Sequence, residues 1–212
     1  VKISKFYVRS YLMTKNIFDS IANHYDSPDR QALAKIIREE LTTYLPRDSH
    51  QKVLLDYGGG TGLVSLPLAE RFKELIIADA SETMLKMAEE KIQAADLKNV
   101  RTIHADASVE FPAVQANLIL LSLVLLHIPD TENILTKLYE ILAPGGQLII
   151  VDFDKNEQIS HPKVHNGFSQ EELNNRLEKT GFVSATSHTF HRGEKLFMNK
   201  NASLFLSISQ KA

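Results

Sequence analysis

The sequence contains no cysteine. This absence excludes disulfides, thiolate metal sites, CxxC redox chemistry and a cysteine nucleophile. Long apolar runs are also lacking, since the most apolar one, residues 118–126, contains Ser122 and falls well short of the ~20 residues that cross a bilayer. The first residues show no charged-then-apolar pattern of the secretory type. We therefore expect a cytoplasmic protein without a membrane span.

The chain also lacks a large excess of positive or of negative residues. The 212 residues include 24 Lys and Arg against 26 Asp and Glu, a balance unlike that of a surface that neutralises many phosphates. We therefore expect no nucleic-acid partner. Hydrophobic residues make up 43% of the chain, and no repeat or long Gly/Ser/Pro linker marks a boundary. The sequence predicts a single domain over residues 1–212.

Short apolar segments alternate with segments of helical periodicity. The segments predicted as strands are residues 53–57, 75–78, 100–103, 118–121, 147–152, 183–190 and 203–209. This alternation predicts an α/β fold of the Rossmann-like, doubly wound type, with a mostly parallel seven-stranded sheet. Because no helix separates the last two segments, we expect them to form an antiparallel hairpin at the C-terminal edge.

Helix signals separate the strands. Helical spacing of apolar residues follows the first strand, from Leu63 to Phe72. Ser81 is the expected cap of the next helix, and Asp130 or Thr131 opens another, which residues 144–146 (PGG) are expected to stop. Ser169 with Glu172 forms a capping box before a helix that ends near Gly181.

The first fifty residues differ from the rest. An aromatic-rich segment, residues 6–25, precedes an amphipathic helix that begins at Ser27 and Pro28. We interpret residues 1–50 as an N-terminal helical lid segment and residues 51–212 as the Rossmann-like core. A purely structural extension is the alternative for the first segment.

The most informative motif is LLDYGGGTG, residues 54–62, in which a strand leads into a glycine-rich turn. Such a turn brings backbone N–H groups close to a ligand. It is not a phosphate loop, because GxxxxGK[ST] is absent. It also fits the dinucleotide motif GxGxxG poorly, since Leu63 occupies the position of the third glycine.

Two acids extend this pattern. Asp79 ends the second strand ~20 residues after the turn, where a carboxylate can accept ribose hydroxyls. Asp106 follows the third strand, in position for the exocyclic amine of a purine. Because ligands of open parallel sheets bind at the carboxyl ends of the strands, we expect the turn and both acids to share one site.

With these motifs, the sequence resembles the class I S-adenosylmethionine-dependent methyltransferases, and within them the small-molecule group that includes the ubiquinone and menaquinone biosynthesis enzymes. The resemblance extends from about residue 18 to residue 182. Its other motifs are FDSIANHYD (18–26), SLVLLHIPD (122–130), LAPGGQLIIVDF (142–153) and HNGFSQEEL (165–173).

The resemblance implies S-adenosylmethionine as cofactor, S-adenosylhomocysteine as product and a small-molecule methyl acceptor. It implies cofactor contacts for residues of the turn, the strand ends and the lid: Tyr25, Asp56, Gly58, Gly59, Gly60, Asp79, Ala80, Met84, Asp106, Ala107 and Ser122. Two departures from the family pattern stand out. Asn117 replaces a frequent Asp, and Leu126 replaces the first residue of a frequent His-His pair.

Histidine is the natural base for an acceptor that must lose a proton near pH 7. His127 follows the fourth strand and His165 follows the fifth, so we take both as candidate catalytic residues, with structural roles as the alternative. His161 and His165 have the spacing of helical metal ligands, but Pro162 and Gly167 disfavour a helix there. We expect no metal.

The function predicted from the sequence is methyl transfer from S-adenosylmethionine to an oxygen, carbon or nitrogen of a small molecule by in-line displacement. Two alternatives stay open: a protein that binds S-adenosylmethionine without transferring the methyl group, and an NAD-dependent oxidoreductase. No heptad repeat or single apolar stripe marks an interface, so monomer and homodimer are both compatible with the sequence.

Overall fold

The computed structural model describes residues 25–105, 113–161 and 164–212. The chain groups into two compact units, Val1–Val114 and Gln115–Ala212. The prediction of one domain with a lid at residues 1–50 stays a prediction, because residues 1–24 of the lid lie outside the described residues.

The first unit contains a three-stranded parallel sheet and two described α-helices. Its elements are α1 (Pro28–Thr42), β1 (Val53–Tyr57), β2 (Glu74–Asp79), α2 (Glu82–Ala94) and β3 (Val100–His104). The strand order is β3-β2-β1, with Tyr57 beside Ala78 and Asp79 beside His104. The central strands are apolar and buried on both faces, as expected of a parallel sheet. The sheet thus brings the carboxyl ends of these strands to one edge.

The helices of this unit begin at the predicted caps. The Ser27 side chain accepts from the Arg30 N–H, and the Ser81 side chain accepts from the Met84 N–H. These hydroxyls satisfy N–H groups that the first turn of a helix leaves without an intrahelical partner. Each helix therefore begins at a position that the sequence predicts.

The prediction of an α-helix over residues 63–72 is wrong in both helix type and length. The structure has a six-residue 3-10 helix, Leu66–Arg71, instead of an α-helix. Pro67 lies in its first turn and has no N–H to donate, and Gly62 just before it has a positive φ of 76°. Of the four apolar residues at helical spacing, Ala69 and Phe72 are buried, whereas Leu63 and Leu66 are only half-buried. The spacing did not predict the helix type.

The second unit contains four strands and two α-helices. Its elements are β4 (Ala116–Ser122), α3 (Thr131–Ile141), β5 (Leu142–Phe153), α4 (Gln170–Thr180), β6 (Phe182–Phe197) and β7 (Lys200–Lys211). The strand order is β4-β5-β7-β6; β4 and β5 are parallel, and β7 runs antiparallel to both of its neighbours. The predicted C-terminal hairpin is therefore confirmed, and it is longer than expected.

The predicted helix ends in this unit are largely confirmed. Asp130 caps α3 by accepting from the Asn133 N–H, Ser169 caps α4, and Gly181 ends α4 in the left-handed conformation. One boundary is wrong: α3 ends at Ile141, and residues 144–146 lie within β5 instead of in a stop loop. A register irregularity between Ala116 and Leu118 accommodates this stretch, in which Gly145 has a φ of 69°.

The two units together hold seven strands, mostly parallel, with an antiparallel pair at the C-terminus. The predicted α/β, Rossmann-like fold class is confirmed. None of the described helices is long and apolar enough to cross a membrane.

Candidate functional site

The glycine turn leaves β1 with its backbone fixed to β2. The N–H groups of Gly58 and Gly59 both donate to the Ala78 carbonyl, at 2.7 and 3.2 Å. Gly60 then has a φ of 55°, a conformation that favours glycine over residues with a side chain. The turn is therefore defined by backbone hydrogen bonds and by the absence of side chains.

Asp79 lies at the end of β2 beside this turn. The Gly60 N–H donates to Asp79 Oδ2 at 2.9 Å, and the Ser81 N–H donates to Asp79 Oδ1 at 2.9 Å. Asp79 is thus oriented by two backbone groups and is only partly buried.

Tyr25 approaches Gly60 and Asp79 from the segment before α1. A Cβ placed on Gly60 would lie 3.9 Å from both Asp79 Oδ2 and Tyr25 Cε1. Burial raises the pKa of the Tyr25 phenol, the nearby Arg30 opposes this shift, and Asp79 adds to it. Arg30 stacks on the Tyr25 ring, 4.0 Å from its centroid. The structure therefore brings three of the predicted cofactor residues together.

A network that the sequence did not predict holds this segment in place. Asp26 forms an ion pair with Lys91 near the end of α2, and Asp26 Oδ1 accepts from the Thr61 hydroxyl at 2.6 Å. Lys91 also donates to the Thr61 carbonyl at 2.9 Å. Asp26, which follows Tyr25, is thus hydrogen-bonded to Thr61, which follows Gly60. Both residues lie in the motifs FDSIANHYD and LLDYGGGTG, but no local pattern pairs them with Lys91.

Asp56 lies beneath the turn and is buried. Burial raises the pKa of its carboxyl to about 7; the Ser65 hydroxyl opposes this shift and Asp79 adds to it. No described residue donates a hydrogen bond to Asp56 Oδ1. A Cβ on Gly59 would lie 2.5 Å from Asp56 Oδ2, so the glycine leaves room for this carboxyl.

The other predicted cofactor residues have different surroundings. The Ala80 carbonyl oxygen lies 3.0 Å from His104 Nε2, and Met84 is 1% exposed on the inner face of α2. Asp106 and Ala107 lie outside the described residues. Their roles in cofactor binding stay predictions.

In the second unit, the residues after β4 form a tight turn. Ser122 is the last residue of β4, Leu123 has a φ of 57°, and residues 125–127 form one turn of 3-10 helix that ends at His127. The Leu123 N–H donates to the Val151 carbonyl at 2.8 Å, which holds this turn against β5. Ser122 and His127 thus lie at the carboxyl ends of the parallel strands β4 and β5.

His165 holds the same turn through two contacts. Its backbone N–H donates to the Leu126 carbonyl, and its ring Nε2 lies 2.9 Å from the Ile128 carbonyl. Because a carbonyl only accepts, Nε2 carries the hydrogen and Nδ1 is the ring atom that can take up a proton. The structure therefore brings the two candidate catalytic histidines together, with His165 contacting both neighbours of His127.

His127 differs from an ordinary histidine in the pKa of its ring. Burial, reinforced by the nearby His165, lowers the pKa of His127 to about 4. The ring is therefore neutral near pH 7, where a neutral imidazole can accept a hydrogen bond from an acceptor hydroxyl or amine.

Asp152, near the end of β5, is a buried acid that the sequence did not single out. Its Oδ2 accepts from the Leu126 N–H at 3.1 Å and its Oδ1 from the Phe153 N–H at 2.8 Å. Burial raises the pKa of Asp152 to about 7, although backbone donors oppose the shift. The signal was available, since Asp152 ends a buried strand as Asp79 does.

A protein-family model and several known proteins match this chain. A family model described as "Methyltransferase domain" matches residues 29–186. The ubiquinone/menaquinone biosynthesis C-methyltransferase UbiE of Escherichia coli O1:K1 is 29% identical over 150 residues, which cover 68% of this chain and 60% of the relative. The chain thus matches about 60% of the length of these curated relatives.

Solved structures share the fold. A SAM-dependent methyltransferase from Aquifex aeolicus matches with a TM-score of 0.68 and 20% identity, covering 92% of this chain and 98% of that one. A SAM-dependent methyltransferase from Thermotoga maritima, described as a possible histamine N-methyltransferase, gives a TM-score of 0.70 and 20% identity, with 93% and 99% covered. The resemblance stated from the sequence is confirmed, and the chain belongs to the methyltransferase domain family.

Proposed function

We propose that this chain is an S-adenosylmethionine-dependent methyltransferase that acts on a small-molecule acceptor. The observation that carries the proposal is the meeting of Tyr25, Gly60 and Asp79 at the carboxyl ends of β1 and β2. A glycine turn and an oriented acid at this edge are the elements that hold a nucleoside in parallel α/β sheets.

The described residues fit this cofactor. Space beside Gly60 is bordered by an acid and an aromatic ring. Apart from its chain neighbours, no atom of the described residues lies closer than 3.9 Å to an added Cβ. In the proposal Asp79 accepts the ribose hydroxyls, the backbone of Gly58 and Gly60 lies along the methionine part, and Tyr25 covers the site. The bound cofactor supplies an electrophilic methyl group on its sulfonium.

The contribution of the protein is mainly orientation. Holding two reacting groups in line contributes ~7–11 kcal/mol to lowering a barrier, and a base is needed only where the acceptor must lose a proton. His165 Nδ1 is the proposed proton acceptor in that case. The neutral His127 ring is proposed to orient the acceptor through a hydrogen bond.

Two alternatives are less well supported. An NAD-dependent oxidoreductase would favour a third glycine at Leu63, and the 3-10 helix that follows the turn differs from the α-helix of the dinucleotide motif. A protein that binds the cofactor without turnover retains every contact described here, so only an activity measurement separates it from the transferase. The small-molecule acceptor, the cytoplasmic location, the absence of a nucleic-acid partner and a monomeric or homodimeric state stay part of the proposal.

Calorimetric titration with S-adenosylmethionine, S-adenosylhomocysteine and NAD tests the cofactor. We expect micromolar binding of the first two and none of NAD. Equal binding of NAD, or no binding of S-adenosylmethionine and S-adenosylhomocysteine, would overturn the proposal. Release of S-adenosylhomocysteine in the presence of an acceptor library then distinguishes the transferase from the binding protein.

A further inference from the structure

The second unit contains a pocket of about 420 Å³ that the methyl-transfer chemistry described above does not use. The segment after β5, the last part of β6 and the first part of β7 form its walls. Its volume lies within the ~300–1,000 Å³ range of small-molecule sites. The charged and amide side chains that line it belong to Asp154, Lys155, Asn156, Arg192, Glu194 and Asn201.

The pocket lies at the edge of the sheet where β5 and β6 end. β7 is antiparallel to both β5 and β6, so β5 and β6 run in the same direction. Arg192 and Glu194 lie near the carboxyl end of β6, and Asp154 follows the carboxyl end of β5. Ser122 ends β4 at this same edge, where open α/β sheets bind their ligands.

The floor of the pocket is fixed by Asp154. Its carboxylate accepts from Gln170 Nε2 at 2.6 Å, from the Thr189 hydroxyl at 2.9 Å and from the Ser203 hydroxyl at 2.7 Å. These donors come from α4, β6 and β7, so one carboxylate holds three elements together. Its acceptor positions serve the fold, and Asp154 is not the group that meets a ligand.

The amide groups and the lysine of the pocket have partners as well. Asn156 Nδ2 donates to the Asn201 carbonyl at 2.9 Å, and Asn201 Oδ1 accepts from the Lys195 N–H at 3.1 Å. The Lys155 ammonium pairs with Glu157 at 3.3 Å. These contacts fix the walls of the pocket and involve all of its charged and amide side chains except two.

Those two groups are Arg192 and Glu194, both exposed and separated by one residue on β6. Within residues 25–105, 113–161 and 164–212, neither forms an ion pair, with the other or with a third residue. Both line the same pocket although their charges are opposite. A simple anion would be repelled by Glu194, and a simple cation by Arg192.

We propose that this pocket binds a small zwitterion, with its carboxylate or phosphoryl group on Arg192 and its ammonium group on Glu194. The pocket lining contains neither Ser122 nor either candidate catalytic histidine, so this inference goes beyond the proposed function. The guanidinium offers a planar fork of donors that matches either anionic group.

The test uses four small probes, of which the two zwitterions have the same two-methylene spacing between the ammonium and the anionic group. They are β-alanine, 2-aminoethylphosphonate, propionate and propylamine, each titrated at constant ionic strength into ¹⁵N-labelled protein saturated with S-adenosylhomocysteine. We expect β-alanine or the phosphonate to shift the amide signals of residues 192–194 and 201–203. Propionate and propylamine should bind at least ~10-fold more weakly, since each lacks one charge. The comparison of the two zwitterions identifies the anionic group.

Charge variants make the test specific. Arg192→Gln and Glu194→Gln should each weaken binding of the zwitterion by ~10-fold or more, whereas Lys200→Gln, on the same hairpin but outside the pocket lining, should leave it unchanged. Stronger binding by Glu194→Gln would mean a simple-anion site and would overturn the proposal. So would equal shifts by all probes, or no shift by either zwitterion at millimolar concentration.

The proposed function and the zwitterion pocket can be refuted independently of each other. Binding of S-adenosylhomocysteine, measured on the same samples, reports on the proposed function alone. If the protein binds the zwitterion but does not bind S-adenosylhomocysteine, the proposed methyl transfer is overturned and the pocket assignment stands.

Discussion

The backbone N–H of Gly60 donates a 2.9 Å hydrogen bond to Oδ2 of Asp79, so the glycine turn after β1 and the acid that ends β2 are fixed to each other. This contact sets the distance between two groups that are proposed to hold different parts of one cofactor. Substitution of Asp79 should therefore affect both the ribose contact and the turn.

Replacement of Asp79 tests this dual role. Asp79→Asn keeps the shape but removes the charge, and Asp79→Ala removes every acceptor. Because hydrogen bonds to a charged group contribute ~1.5–3 kcal/mol, we expect S-adenosylhomocysteine affinity to fall ~10–100-fold in both, with the larger loss in Asp79→Ala. Calorimetry measures this. Glu90→Gln, an exposed acid on α2, is the control, and unchanged affinity in Asp79→Ala would contradict the ribose assignment.

The Asp26–Lys91 ion pair predicts a coupling between the segment before α1 and α2. The pair is partly buried, and Lys91 also donates to Thr61. In a double-mutant cycle with Asp26→Asn and Lys91→Met, we expect an interaction energy above ~0.5 kcal/mol from urea unfolding. The exposed pair Asp96–Lys98 is the matched control and should show no measurable coupling. Additive effects of Asp26→Asn and Lys91→Met would refute the link.

Gly59 and Gly145 separate steric overlap from backbone strain. A Cβ on Gly59 would lie 2.5 Å from Asp56 Oδ2. One on Gly145 would meet no atom of the described residues within 4 Å beyond its chain neighbours, although the φ of Gly145 is 69°. We expect Gly59→Ala to lose ~1–3 kcal/mol, as in other overpacked sites, and Gly145→Ala to lose ~1 kcal/mol from φ alone. Urea unfolding at one pH measures both losses. A smaller loss in Gly59→Ala than in Gly145→Ala would contradict the close approach of Asp56.

Sequence patterns predicted the parts of the fold that depend on local signals. Buried strands, serine caps and the Gly181 helix end follow from periodicity and capping chemistry over a few residues. The 3-10 helix at Leu66–Arg71 was missed because apolar spacing of three residues suits both helix types over so short a segment. The start of β5 was missed because PGG usually ends an element, while here a register irregularity absorbs it.

The candidate site also contains residues that local sequence patterns predict and residues that only tertiary packing brings together. Asp79 and the glycine turn could be predicted because their spacing along the chain carries the signal. Lys91 and Asp26 could not, since 65 residues separate them in the sequence and only packing brings them together. His165 was chosen for its chemistry, but its contacts with the carbonyls on both sides of His127 depend on the tertiary structure.

The pH dependence of stability follows from three buried groups. Asp56 and Asp152 have pKa values of about 7 in the native state, above the ordinary 3.8. Between pH 4 and 7 the native protein therefore holds protons that the unfolded chain has released, so both groups make the free energy of unfolding fall as pH rises. His127 acts oppositely. Its native pKa of about 4 lies below 6.5, so the unfolded chain binds the extra proton and stability rises with pH up to 6.5.

Substitution should therefore change the slope of stability against pH in opposite directions. Asp152→Asn and Asp56→Asn should each flatten the fall between pH 4 and 7, and His127→Gln should steepen it between pH 4 and 6.5, by up to ~1.4 kcal/mol per pH unit for one proton. Urea unfolding at half-unit intervals measures the slopes. Ile119→Val, a non-titrating core change that costs ~1 kcal/mol, should lower the curve in parallel. If His127→Gln also gave only a parallel curve, the pKa of His127 would not be lowered in the native protein, and the proposal that a ring kept neutral by burial orients the acceptor would fall.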